Sequence, residues 1–212
     1  MSIAVYTAIF GGYDQLYPGL YPGEADYICF SDKYFRAPAP WEVRVIEPPH
    51  TDPRKAARFF LLQSTKVLPE YTNTIMHGGN ATLYGSPNEL IELLGANDIA
   101  AFRHPHRSNV YDEPKACATL SKDRIENMAP QMAGYKAEGF PGAPFSACIL
   151  LVRRNVIKIA VLEALWWTEV LAGSHRDQLS FDYARWKTET PITYIPGDPF
   201  TSPHLSIHGH LR

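Results

Sequence analysis

Arg176-Asp177-Gln178 sets a cation, a carboxylate and an amide side by side in the chain. Ser174 and Asp177 have the Ser-x-x-Asp spacing of a capping box, so the segment reads as a helix start. Backbone N–H groups left free at such a start face the same way as the side chains, which suits a phosphate or a sugar. Asp177 is also the type of group that takes a proton from a hydroxyl. A well-capped surface helix uses the same residues, so other segments must decide between the two readings.

Four further clusters carry possible chemistry. Gly11-Gly12 ends an apolar run that begins at Ile3 and includes Tyr6, Thr7 and Ala8. Glycines there let a backbone approach a ligand, although the pattern is neither G-x-G-x-x-G nor a P-loop. Asp52-Pro53 starts a helix that carries Arg54, Lys55 and Arg58 in its first two turns. Cations at that end oppose the helix dipole, a mismatch that an anionic ligand would relieve; a solvated charged face is the alternative. Arg103-His104-Pro105-His106-Arg107 offers a cationic pocket for a diphosphate or a carboxylate. His77-Gly78-Gly79-Asn80 is a glycine-rich turn in which only His77 and Asn80 can ligate anything. His204, His208 and His210 form H-x-x-x-H-x-H, a spacing open to a metal or to chance in a tail. No H-E-x-x-H set accompanies these histidines, which weighs against a metal hydrolase.

The elements that must position these groups alternate. Apolar, β-branched runs predict strands at 3–10, 27–30, 42–46, 74–76, 99–102 and 145–152. Helical spacing predicts helices at 52–67, 87–94, 122–138 with a kink at Pro130, 155–171 and 176–188. Trp166 and Trp167 fall in the apolar helix, as core residues or as a stacking wall for a sugar. Such alternation implies an α/β domain with a mainly parallel central sheet flanked by helices. Ligands then bind beyond the carboxyl ends of the strands, at the turns following Phe10, Ser31-Asp32, His77 and Arg103.

The bulk composition excludes several classes. The 212 residues are 45% apolar and 20% charged, which fits one large domain. A net charge of −2 with no basic stripe gives no reason to expect nucleic acid. Three scattered cysteines suit a reducing compartment, and the start of the chain lacks a basic and apolar leader. No long apolar run predicts a transmembrane segment, so a cytoplasmic location is expected.

Taken together, the motifs resemble the glycosyltransferase-like family of plant mucilage-related and bacterial glycan-synthesis proteins. The resemblance rests on 5–14 (VYTAIFGGYD), 26–32 (DYICFSD), 52–58 (DPRKAAR), Gly79-Asn80, 102–105 (FRHP), 137–141 (AEGFP), Trp166-Trp167 and 176–181 (RDQLSF), in that order. It implies a GT-A type fold over residues 1–190, with 191–212 as a tail on or near the active site. It also implies a nucleotide-diphosphate sugar as donor, a glycan or other hydroxyl acceptor, and a divalent cation, manganese or magnesium, as the possible cofactor. The donor nucleotide is expected near Tyr6, Thr7, Ala8 and Asp32, with Arg54, Lys55 and Arg58 close by. The sugar and reaction centre are expected near Asn80, Arg103, His104, Arg176, Asp177 and Gln178. Glu138 is the second carboxylate in line for proton transfer.

One departure matters. The family reads Trp-Ile-Asp-Gly-Asn where this chain reads Met76-His77-Gly78-Gly79-Asn80, so Gly78 replaces the expected acid. His77 or His208 is then the candidate metal ligand, cations replace the metal, or the scaffold binds nucleotide or glycan without turnover.

Overall fold

The computed structural model describes residues 2–211. Its centre is a seven-stranded sheet built from β1 (Ile3–Ile9), β2 (Asp26–Ser31), β3 (Glu42–Val45), β4 (Asn73–His77), β6 (Ile99–Arg103), β7 (Ser146–Arg154) and β8 (Thr193–Ile195). Between β4 and β6 lies β5 (Ala81–Leu83), which pairs with β9 (Leu205–Ile207) in a separate two-stranded sheet. The central order is β3-β2-β1-β4-β7-β6-β8. All its pairings are parallel except those of β7, which runs against both neighbours. The mainly parallel sheet is therefore the expected one, and a strand buried on both faces explains why β1 reads as an unbroken apolar run.

Helices cover both faces. On one side α1 (Pro53–Leu62), α2 (Ser64–Val67), α6 (Ile157–Ala172) and α7 (Gln178–Lys187) bury Phe60, Leu62, Ile159, Trp166 and Phe181 against Tyr6, Phe30, Met76 and Leu151. On the other side α3 (Pro87–Glu92), the small sheet and Trp41 cover Val5, Ile75, Phe102 and Val152. A third cluster joins α4 (Glu113–Thr119) and α5 (Ile125–Ala137) to Leu179 and Tyr183 of α7. Trp166 is fully buried, as expected for a core residue, and Trp167 packs edge-on to Phe59.

The differences from the sequence pattern have local causes. The helix expected over 52–67 breaks at Gln63, whose backbone leaves helical geometry. There Ser64 and Thr65 turn to donate hydrogen bonds to the buried Glu163 carboxylate. The helix expected over 176–188 starts at Gln178, with Asp177 at its N-cap making no side-chain cap bond. The capping box is thus not formed: Ser174 Oγ accepts the Arg176 N–H and donates to Asp123. Of the stretch after Pro191, Thr193–Ile195 joins the central sheet beside β6, and Leu205–Ile207 joins β5.

Candidate active site

Parallel pairing brings the carboxyl ends of β1, β2 and β4 to one rim, and the reversed β7 starts at the same rim. Gly11 and Gly12 turn there with φ of +66° and +64°, a region that favours glycine. The Gly11 N–H donates to Asp32 Oδ2 at 3.1 Å, which ties the loop after β1 to the loop after β2. Asp32 Oδ1 is buried without a partner. A Cβ at Gly11 would sit 3.6 Å from Pro53, an ordinary contact, so the positive φ and not the space calls for glycine there. At Gly12 the same atom would lie 3.3 Å from the Lys33 ammonium.

Between these loops opens a cleft of about 710 Å³. Ile9, Leu16, Tyr17 and Phe35 give it apolar and aromatic walls, and Lys33 and Arg36 give it positive charge. The volume lies in the range that holds a ligand of nucleotide size. Leu211 closes one side because the chain end folds back over the rim. The His208 N–H donates to the Asn80 carbonyl and its own carbonyl accepts the Asn80 side-chain amide, while its ring stacks on Tyr17 at 3.9 Å and meets Thr82 Oγ1 at 2.9 Å. His210 pairs with Asp14 at 2.6 Å and leans on Tyr13. Lys33, Arg36 and Tyr17 are not among the site residues expected from the sequence, and Asp14 enters there only as the end of the 5–14 motif. The first two follow the strand end at Ser31-Asp32 directly, and that position was the available signal.

On the helical side of the rim stands a second group. Arg58 Nε lies 3.1 Å from Asp177 Oδ1, off the hydrogen-bonding direction. The Asp177 side chain is only 8% exposed. Its backbone carbonyl accepts the Trp166 indole N–H at 2.8 Å, which anchors the turn to the core. Gln178 Oε1 accepts the Cys148 N–H at 3.3 Å, at the start of β7. Arg54, 60% exposed in its side chain, is held by Asp52 at 3.0 Å at the start of α1.

Several expected site residues stand elsewhere. Tyr6 is fully buried in the core, donating to the Leu61 carbonyl and touching Arg153; burial raises its phenol far above the usual value. Ala8 packs in the same cluster, and Thr7 is buried on the opposite face with an unpartnered hydroxyl. Lys55 donates to the carbonyls of Leu171 and Gly173, so it caps the end of α6. Asn80 is occupied by His208. Arg103 stacks on Tyr194 with its guanidinium 4.0 Å from the ring centre. Three strand positions separate β1 from β6, roughly 14 Å at ~4.8 Å each, and the Arg103 guanidinium is turned onto Tyr194 of β8, on the side away from β1.

The cationic pocket expected around Arg103 is thereby divided. Arg107 pairs with the buried Glu113, and His104 stacks on Phe145 while its Nδ1 accepts two backbone N–H groups. Arg176 is half-buried with an unpartnered Nε, facing Cys117 instead of the cleft. Glu138 accepts from Tyr183 and Lys187 near the far end of α7, about 15 Å along the helix from Asp177 at ~1.5 Å per residue.

The turn after β4 does not fit a metal. No three His, Cys, Asp or Glu groups gather as a ligand set among the described residues. A Cβ at Gly78 would meet Ile149 Cδ1 at 2.6 Å and Asn80 Oδ1 at 3.1 Å, so the place of the expected acid is filled. His77 points inward to Trp41, and the His208 ring is used by Thr82 and Tyr17.

Burial pushes the His77 imidazole down from 6.5 to about 4, and burial does the same to His104. Both are neutral in the native state, while the unfolded chain takes up protons near 6.5. The native state then binds fewer protons, so stability is full above pH 6.5 and falls towards pH 4. For the fully buried His77 the slope approaches ~1.4 kcal/mol per pH unit. Urea midpoints measured across that window should decline, and His77→Gln should flatten the decline by one proton's worth. A slope identical in the variant would exclude His77 as its source.

The sheet order, with a cleft at the carboxyl ends of its first two strands, defines a mixed α/β fold of the GT-A glycosyltransferase class. The chain superposes on the bifunctional glycosyltransferase WbbM with a TM-score of 0.55 at 12% identity. That match covers 92% of this chain but only 39% of the WbbM chain. Mouse xyloside xylosyltransferase 1 gives 0.48 at 8% identity, covering 92% of this chain and 84% of its own. A glycosyltransferase involved in glycosylating the major capsid of PBCV-1 gives 0.46 at 10%, covering 95% and 83%. No curated protein sequence matches the chain. The TOD1/MUCI70 glycosyltransferase-like domain matches residues 39–195, most of the chain, and the chain belongs to that family.

No helix among the described residues is long and apolar enough to cross a membrane.

Proposed function

We propose that the protein transfers a sugar from a nucleotide-diphosphate sugar to a hydroxyl acceptor, such as that of a glycan. The observation that carries this reading is the 710 Å³ cleft at the carboxyl ends of β1 and β2, with the Arg58–Asp177 pair on the helical side of that rim. Its aromatic walls suit a base, and Asp32 lies in the chain between the lining residues Ser31 and Lys33. The segment from Leu205 to Leu211, clamped by Asn80, Tyr17 and Asp14, completes the wall over the bound donor.

The chemical problem is departure of a diphosphate from an anomeric carbon. Fixed positive charge must meet the negative charge that develops on the leaving group. Arg54 at the start of α1 is placed to steer that anion. Asp177 takes the proton from the acceptor hydroxyl if the anomeric configuration inverts. If it is retained, Asp177 and Gln178 flank the anomeric centre.

The test is a panel of nucleotide sugars assayed for saturable binding, donor hydrolysis and transfer to sugar acceptors. Transfer or donor hydrolysis is the expected result. Gly78 in place of an acid favours a second reading, a nucleotide- or glycan-binding protein without turnover. Saturable binding with neither hydrolysis nor transfer would decide for that second reading.

A further inference from the structure

We propose that the donor pyrophosphate is neutralised by Lys33 and Arg36 and needs no divalent cation. This inference rests on the nucleotide-sugar reading and concerns how that site manages charge. The turn after β4 carries no carboxylate of its own, the Asp14 carboxylate that lies against Gly79 is paired with His210, and the Gly78 position is closed by Ile149 and Asn80. The rim's other charges are largely committed to one another. Arg54 pairs with Asp52, Arg58 with Asp177, and His210 with Asp14. Lys33 and Arg36 both line the cleft, and neither lies within ion-pair distance of a carboxylate among the described residues.

Position matters as much as sign. Gly12 has no side chain, and the Lys33 ammonium lies over it, 3.3 Å from where a Cβ would stand. That places a compact cation over the turn after β1, at the mouth of the cleft. Arg36 adds a planar fork of donors on the same wall, the geometry that grips phosphate oxygens in pairs. Two cations supply the charge that one divalent ion would bring.

Calorimetric binding separates the possibilities. The probes are UDP, GDP, ADP, CDP and dTDP with their parent nucleosides, each titrated in EDTA and in manganese. The expected result is a diphosphate that binds with the same affinity, within about threefold, under both conditions. Lys33→Ala and Arg36→Ala should each weaken that diphosphate about tenfold, while the matching nucleoside binds as before. Both side chains are exposed, so the variants should keep the wild-type melting temperature. Tightening by tenfold or more in manganese, or variants that bind the diphosphate like wild type, would overturn this inference and leave the transferase reading standing. No diphosphate bound under either condition would overturn both.

Discussion

Asp177→Asn is expected to lower sugar transfer by about 10²–10⁴-fold while the protein remains folded, because that is the range by which a positioned proton-transfer group contributes. The substitution keeps the shape of the side chain and removes its charge and basicity. The turn itself depends on the backbone: the Asp177 carbonyl holds the Trp166 indole and the Ser180 and Phe181 N–H groups. None of those bonds is touched. Arg58 loses its partner, but its side chain is 26% exposed and water can replace the carboxylate. The stability cost should therefore stay near ~1 kcal/mol. Turnover and melting temperature measured on the same preparation check the pair of outcomes. Turnover close to wild type would remove Asp177 from the chemistry, and an unfolded variant would show that its role is structural.

Glu163→Ala should cost ~3–5 kcal/mol of stability, the usual consequence of orphaning a buried charge. Arg153 sits near the end of β7 with no exposed side chain, and Glu163 of α6 meets it at 2.9 Å. The rest of the network is as closed. Glu163 accepts from Ser64 Oγ at 2.6 Å and from Thr65 N and Oγ1 at 3.0 and 2.6 Å. Arg153 donates to Leu61 and Leu62 carbonyls. Removing the carboxylate leaves the buried guanidinium with carbonyl acceptors but no counter-charge, and takes the acceptor from Thr65 N and Oγ1. Replacing both ions, as Arg153→Met with Glu163→Leu, should cost far less than the two single changes added together, because neither charge is then stranded. Urea unfolding of the four proteins of this cycle gives the coupling. A loss below ~1 kcal/mol in Glu163→Ala would mean that water reaches Arg153 and that the pair is not a core element.

Much of the scaffold is legible in the chain because burial on both faces leaves a plain trace. The run of β1 is apolar at nearly every position, and Asp52-Pro53 marks the start of α1, with Asp52 accepting the Arg54 N–H. The rim is legible too, since glycines and an acid end β1 and β2. The groupings were harder. Arg103, His104 and Arg107 are neighbours in sequence, yet Arg103 turns onto Tyr194 while His104 and Arg107, 3.2 Å apart, gather on the buried Glu113. Adjacent residues at a strand end point to different faces, so sequence proximity does not make a shared pocket. Arg58 and Asp177 are far apart in sequence and meet because α1 and α7 share one layer over the sheet. Arg153 showed the opposite problem: a charge in an apolar strand is no guide to its partner until α6 is packed.

By itself the sequence determined the alternation of strands and helices, the mainly parallel sheet and the turns that gather at one end of it. Those follow from periodicity and turn chemistry, which act over a few residues. The tertiary structure alone decided which cations remain free to meet a ligand. Lys33 and Arg36 line the cleft with no ion-pair partner among the described residues, while Lys55, Arg107 and Arg153 are used to hold helices and core together. Charge is a property of the residue, but whether it is already neutralised depends on partners brought in from distant parts of the chain.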